Sequence, residues 1–200
     1  HLLSFAREAG RPFPQDAGQQ LAEAVAAVLG SWQGEKARAY RELHGLDHAM
    51  GTAVTVQRMV FGNAGGLSGA GVGFTRNPST GEPHPWVDFL FNAQGEDVVS
   101  GRRSAQGHEA LAEVSPALWD ELVQAAATLE RHFGDMQDFE FTIEDGVLYL
   151  LQTRSGKRTA RAAARIALDL LDEQLIDAAM ARERTAGLDA AALTLRRISS

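Results

Sequence analysis

The residues best suited to chemistry fall in one short stretch. Asp138 and Glu140 stand two apart, Gln152 and Arg154 stand two apart, and Glu144-Asp145-Gly146 lies between the pairs. An Asp-Gly step between the apolar runs Phe139–Ile143 and Val147–Leu151 signals a hairpin. Side chains alternate across a strand, so residues i and i+2 share a face. The spacing therefore predicts two carboxylates, an amide and a guanidinium on one face of a two-stranded ribbon. Phe139, Phe141, Leu151 and Thr153 are expected on the other. Carboxylate and amide oxygens are hard ligands suited to Mg²⁺, and arginine suits a polyphosphate that such a metal bridges. The same pattern equally describes a solvent-exposed face laced by cross-strand salt bridges. Residue types alone leave both readings open.

Other candidates are less specific. The run Gly65-Gly66-Leu67-Ser68-Gly69-Ala70-Gly71-Val72-Gly73 invites a phosphate-cradling reading, but no Gly-Lys-[Ser/Thr] closes it. It reads as structural, with small residues permitting a tight turn and close strand packing. His44 and His48 are four apart, but Gly45 and Asp47 intervene, which suits a helix end better than a metal pair. No Gly-x-Ser-x-Gly elbow is present. Cysteine is absent, which excludes a disulfide framework, a Cys-type zinc site and a thiolate nucleophile. In Asn92–Asp97, the acids Glu96 and Asp97 either add charge to a site or cap the short element at Val98-Val99.

The elements that must position these residues change period along the chain. Residues 1–50 read as helical. Asp16 is the expected N-cap of a helix to Leu29, and a second helix runs from Glu35 to Leu43. Thr52–Val60 alternates and is rich in β-branched residues, which predicts a strand. Val72–Thr75 and Val87–Phe91 flank the turn Asn77–Glu82 as a further hairpin. Ser115-Pro116 opens a helix with the stripe Leu118, Leu122, Ala125, Ala126, Leu129 and Phe133, and Gly134 stops it. Residues 159–182 read as one more helix. The tryptophans and phenylalanines are expected in the core.

Two hundred residues with 44% hydrophobic and 22% charged content suffice for a sizeable core and exclude a disordered or collagen-like chain. A net charge of −7 argues against partners such as nucleic acid or an anionic membrane surface. No apolar run approaches the ~20 residues of a bilayer span, and the start His1-Leu2-Leu3-Ser4 does not read as a signal peptide. The expected location is cytoplasmic. A chain beginning with His reads as a piece of a longer one.

Several segments together resemble one family. Gly51–Gln57, Gly71–Glu82, Asn92–Gly101, Asp135–Thr142 and Leu151–Thr159 are similar to pyruvate phosphate dikinases, in the right order. Pro12–Asp16, Ser31-Trp32 and Ile166–Leu170 extend the match to roughly residues 10–178. The resemblance implies an α+β, ATP-grasp-like subdomain, a mostly antiparallel sheet packed against the 16–29, 116–133 and 159–176 helices. It divides the chain into a helical N-terminal segment (1–50), a sheet core with the nucleotide hairpin 138–154 (51–158), and C-terminal helices (159–200) leading toward a phosphohistidine domain that the chain lacks.

The resemblance also implies an activity: ATP, phosphate and pyruvate to AMP, pyrophosphate and phosphoenolpyruvate through phosphohistidine. It assigns Mg²⁺ to Glu140 and Gln152, places Asp138, Glu140, Gln152 and Arg154 at the nucleotide, and makes Arg154 the catalytic cation. Gln57 and Met59 are implied at the adenine. The family reading allows a homodimer and leaves the Gly-rich run as structure or a mobile lip over the site. A lysine, an arginine and a Gly-rich lid would come from sequence upstream of the present start, so the chain alone is expected to be inactive. Asp88 stands where the family tends to have Glu. Two other readings remain: a phosphoenolpyruvate synthase-like fragment and a non-catalytic nucleotide-binding remnant.

Overall fold

A computed structural model describes residues 2–99 and 106–188, with the backbone alone of Val99 and 106–109. The chain forms two compact units, residues 1–58 and 59–200.

The first unit holds helices α1 (Leu2–Ala9), α2 (Ala17–Ser31) and α3 (Glu35–His44). Asp16 caps α2 as expected, its carboxylate accepting the Gln19 N–H at 2.8 Å. Arg41, 2% exposed, lies 3.9 Å over the Trp32 ring and donates to the Trp32 carbonyl at 2.8 Å. His48 Nδ1 accepts from Arg41 Nε at 3.2 Å and His44 lies against Tyr40, so neither histidine pairs with the other. Gly51–Val60 has no strand. Its β-branched residues fit a pleated surface, but no described strand pairs with them, and propensity alone does not make a strand.

The second unit is built on five antiparallel strands in the order β3-β2-β1-β4-β5 among the described residues. They are β1 (Gly69–Phe74), β2 (Trp86–Phe91), β3 (Gln106–Gly107), β4 (Gln137–Glu144) and β5 (Val147–Ser155). The Gly-rich run is therefore not a lip: most of it is the central strand. An added Cβ at Gly69, Gly71 or Gly73 would lie 2.2, 2.4 or 2.7 Å from the rings of Phe89, Phe141 and Phe139. The glycines leave the space those rings fill.

Helices α5 (His108–Val114) and α6 (Pro116–Phe133) close this face. Leu111, Leu118, Leu122 and Ala126 pack on Val87, Phe89, Phe139, Phe141 and Ile143. The expected stripe of α6 fails at its end. Phe133 is exposed, and Glu130, one turn beyond Ala126, is buried instead. Ser115 precedes Pro116 as expected, but its side chain makes no capping bond. Trp86, expected in the core, is 50% exposed.

Val98-Val99 belongs to a short helix, α4 (Gly95–Val99). The expected helix 159–182 is two, α7 (Ala160–Asp172) and α8 (Ala178–Thr185). Gln174 takes a positive φ between them, and Asp177 caps α8 by accepting the Met180 N–H at 2.8 Å. Both pack with Met136 and Phe74 in a second apolar cluster through Ala162, Ile166, Leu170 and Ala181. No helix among the described residues is long and apolar enough to cross a membrane.

Candidate functional site: the open face of the β4–β5 hairpin

The hairpin forms where the Asp-Gly step puts it. Asp145 and Gly146 both take positive φ, and their amides are anchored to Ser68 Oγ at 3.0 Å and to the Leu67 carbonyl at 2.8 Å. Pairing sets Asp138 opposite Arg154 and Glu140 opposite Gln152. Immediately beyond, the register shifts: Phe141 pairs with Leu150, so Leu151 is the extra residue of a bulge. A bulge re-aims the side chains beside it. Phe139 and Phe141 are buried on the core side, so Asp138 and Glu140 face away from it.

Cross-strand register extends this face over four strands. One row reads Asp88–Val72–Glu140–Gln152 and the next Trp86–Phe74–Asp138–Arg154. The neighbouring residues Leu90, Ala70 and Thr142 are buried, which closes one end of the face. Asp88 thus joins the carboxylates at the level of Glu140. Spacing within the hairpin could not find it, because the relation runs through Val72 of β1, 68 residues before Glu140.

The four hairpin residues divide in two. Arg154 Nε donates to Asp138 Oδ2 at 2.8 Å. That hydrogen bond, with the charges of Asp138 and Glu140, raises the pKa of the exposed guanidinium. Glu140 and Gln152 make no side-chain hydrogen bond among the described residues. A half-buried carboxylate facing an exposed carboxamide, both with idle acceptors, fits a small hard cation. Mg²⁺ takes one or two protein oxygens and fills the rest of its shell with phosphate and water. No group of three or more His, Asp or Glu forms a full protein cage among the described residues. The donor set suits a metal that arrives with a phosphate ligand.

Gln57 and Met59 both lie exposed in the irregular stretch 51–60, Gln57 in the first unit and Met59 at the start of the second.

Below the hairpin sits a buried ionic group that the sequence did not suggest. Arg76, 2% exposed, donates to Glu130 Oε1 through Nε at 2.9 Å and Nη2 at 2.7 Å, and to Glu173 at 2.7 Å. Burial disfavours the charge of Arg76, but the hydrogen bonds and charges of Glu130 and Glu173 outweigh it and raise the pKa. Asp135 behaves correspondingly. Burial would raise its pKa, but two hydrogen bonds from Arg158 and the charges of Arg158 and Arg184 hold the carboxyl below its usual range.

An antiparallel sheet packed against helices makes this an α+β domain, and the family it matches is of the ATP-grasp type. Residues 12–113 and 108–175 match the family model described as pyruvate phosphate dikinase, AMP/ATP-binding domain, and the chain belongs to that family. It is 49% identical to pyruvate, phosphate dikinase of Rhizobium meliloti (strain 1021) over 208 residues, covering 94% of this chain and 23% of the relative. It is 53% identical to the Clostridium symbiosum protein of that name, covering 84% of this chain and 19% of the relative. It is 48% identical to pyruvate, phosphate dikinase 1, chloroplastic, of Zea mays, covering 84% and 18%. The chain spans about a fifth of the length of these relatives.

Proposed function

We propose that this chain supplies the ATP- and Mg²⁺-binding wall of a pyruvate phosphate dikinase-type phosphotransferase. The observation that carries the reading is the free Glu140–Gln152 acceptor pair beside the Asp138–Arg154 ion pair on one open sheet face. Glu140 and Gln152 would hold Mg²⁺, which when bound neutralises phosphate charge and orients the transferred group. Arg154 presents fixed positive charge to the phosphates, and Asp138 holds its guanidinium in place. Asp138 thus acts through Arg154 rather than on the metal. Met59 offers an exposed apolar side chain in the second unit and is assigned to the adenine.

In the full-length enzyme the reaction is ATP, phosphate and pyruvate to AMP, pyrophosphate and phosphoenolpyruvate, by way of a histidine on a separate domain. The enzyme works as a homodimer in the cytoplasm on this reading. An open sheet face cannot exclude water or surround phosphates by itself, and phosphoryl transfer depends on both. The chain alone binds and does not turn over.

Calorimetric titration of the chain with ATP tests the reading. Binding is expected with Mg²⁺, much weaker with a chelator, and lost when Glu140→Ala and Gln152→Ala are combined. Equal binding with and without the metal would contradict it.

A further inference from the structure

Four buried polar side chains link helix α6 to the hairpin: Arg76, Glu130, Thr75 and Gln137, each no more than 8% exposed. The links run in one direction. Glu130 Oε1 accepts from Arg76 Nε and Nη2, the latter also donating to Glu173, and Oε2 accepts the Thr75 hydroxyl at 2.7 Å. A carboxylate only accepts, so the Thr75 proton must point at Glu130. The Thr75 oxygen is thereby left to accept the Gln137 N–H at 3.1 Å, and the Thr75 N–H donates to the Gln137 carbonyl at 2.9 Å. The Gln137 side-chain NH₂ is spent on the carbonyls of Asp135 and Met136, at 3.1 and 3.2 Å. Its oxygen therefore faces β5, where it accepts the Thr153 hydroxyl at 3.2 Å. The chain ends between Gln152 and Arg154, and it passes through the residue before Asp138.

We propose that Glu130 is a positioning residue for the Mg·ATP face, acting through Thr75, Gln137 and Thr153 to fix where β4 and β5 present Asp138, Gln152 and Arg154. The inference rests on the Mg·ATP reading above. Packing α6 on the sheet does not require such a chain, since buried polar groups cost free energy that apolar residues of similar volume avoid. What the polar chain adds is direction. With Thr75 and Gln137 each oriented by its neighbours, the near ends of β4 and β5 are tied to one register. Sequence alone does not show it, because Glu130 stands 55 residues along the chain from Thr75.

The test measures Mg·ATP affinity by titration calorimetry on the 200-residue chain. The variants are Thr75→Val, which keeps shape and loses the hydroxyl, Thr75→Ser, Thr153→Val, and Leu111→Ala as a control. Leu111 is a fully buried core residue outside the hydrogen-bonded chain. Thr75→Val and Thr153→Val are each expected to weaken Mg·ATP by about tenfold or more, as for partners that orient metal ligands. Thr75→Ser should bind as the parent does. Leu111→Ala should lower stability and leave affinity unchanged. Should Thr75→Val fail to fold, the less buried Thr153→Val decides alone. Parent-like binding by the hydroxyl-lacking variants, or an equal loss in Leu111→Ala, overturns the positioning role and leaves the Mg·ATP reading intact. Failure of the parent chain to bind Mg·ATP overturns both.

Discussion

Glu140 and Gln152 face each other across the β4–β5 ladder, one step before the bulge at Leu151, and their side-chain oxygens accept no hydrogen bond among the described residues. Two pairs further along, on the same face, Asp138 and Arg154 are bonded at 2.8 Å. Successive rungs on this face thus differ in kind: one is hydrogen-bonded within the protein, and the other is left with free acceptors. A strand pair laced only for stability would pair both rungs. The difference favours the metal reading over the salt-bridge reading that residue types left open.

Arg154→Ala separates binding from stability. Arg154 is 63% exposed, and exposed ion pairs contribute little to folding. The thermal midpoint should stay close to that of the parent while Mg·ATP affinity falls. A large drop in midpoint with unchanged affinity would make the residue structural.

Gly71→Ala tests the packing of the central strand. The new methyl would meet the Phe141 ring at 2.4 Å and the Asp88 carbonyl at 2.9 Å. Overpacking of this sort costs about 1–3 kcal/mol. Urea unfolding should show it, and Gly71→Ala with Phe141→Leu should recover part of the loss.

Arg76→Met leaves Glu130 buried without its cation. Breaking one side of a buried pair costs about 3–5 kcal/mol, whereas replacing both sides can be neutral. Urea unfolding of Arg76→Met should show the loss, and Arg76→Met with Glu130→Leu should restore much of it.

Acid should destabilise the second unit in part through Asp135. Its carboxyl pKa is lowered in the folded chain, so its contribution is complete above the unfolded carboxylate range near pH 4. The contribution is lost as pH falls through the lower folded value. Asp135→Asn should be less stable than the parent at neutral pH and nearly equal to it at the acid end. Parallel stability curves for the two chains would contradict the assignment.

How far sequence carries the fold depends on how local each cause is. The hairpin is legible because the Asp-Gly turn and the i, i+2 spacing act within 17 residues. The cap at Asp16 is local too. Thr52–Val60 carries the residue types of a strand without a described partner to pair with. The glycines of β1 point in sequence to close strand packing, but which rings fill the space over them, Phe89, Phe139 and Phe141 from two other strands, is set only by the fold. Phe133 and Glu130 exchange their expected places because Arg76, 54 residues away, makes a buried carboxylate worth keeping. Asp88 joins the site face through pairing across β1, a relation that no spacing encodes.

The central claim is that the hairpin face binds Mg·ATP, and the most direct measurement is the thermal midpoint with and without millimolar Mg·ATP, for the parent and for Glu140→Ala. A ligand at 100 times its dissociation constant adds about 2.7 kcal/mol, several degrees for a chain of this size. The predicted result is a shift of that order in the parent that is absent in Glu140→Ala. No shift in the parent, or the same shift in both, would contradict the account.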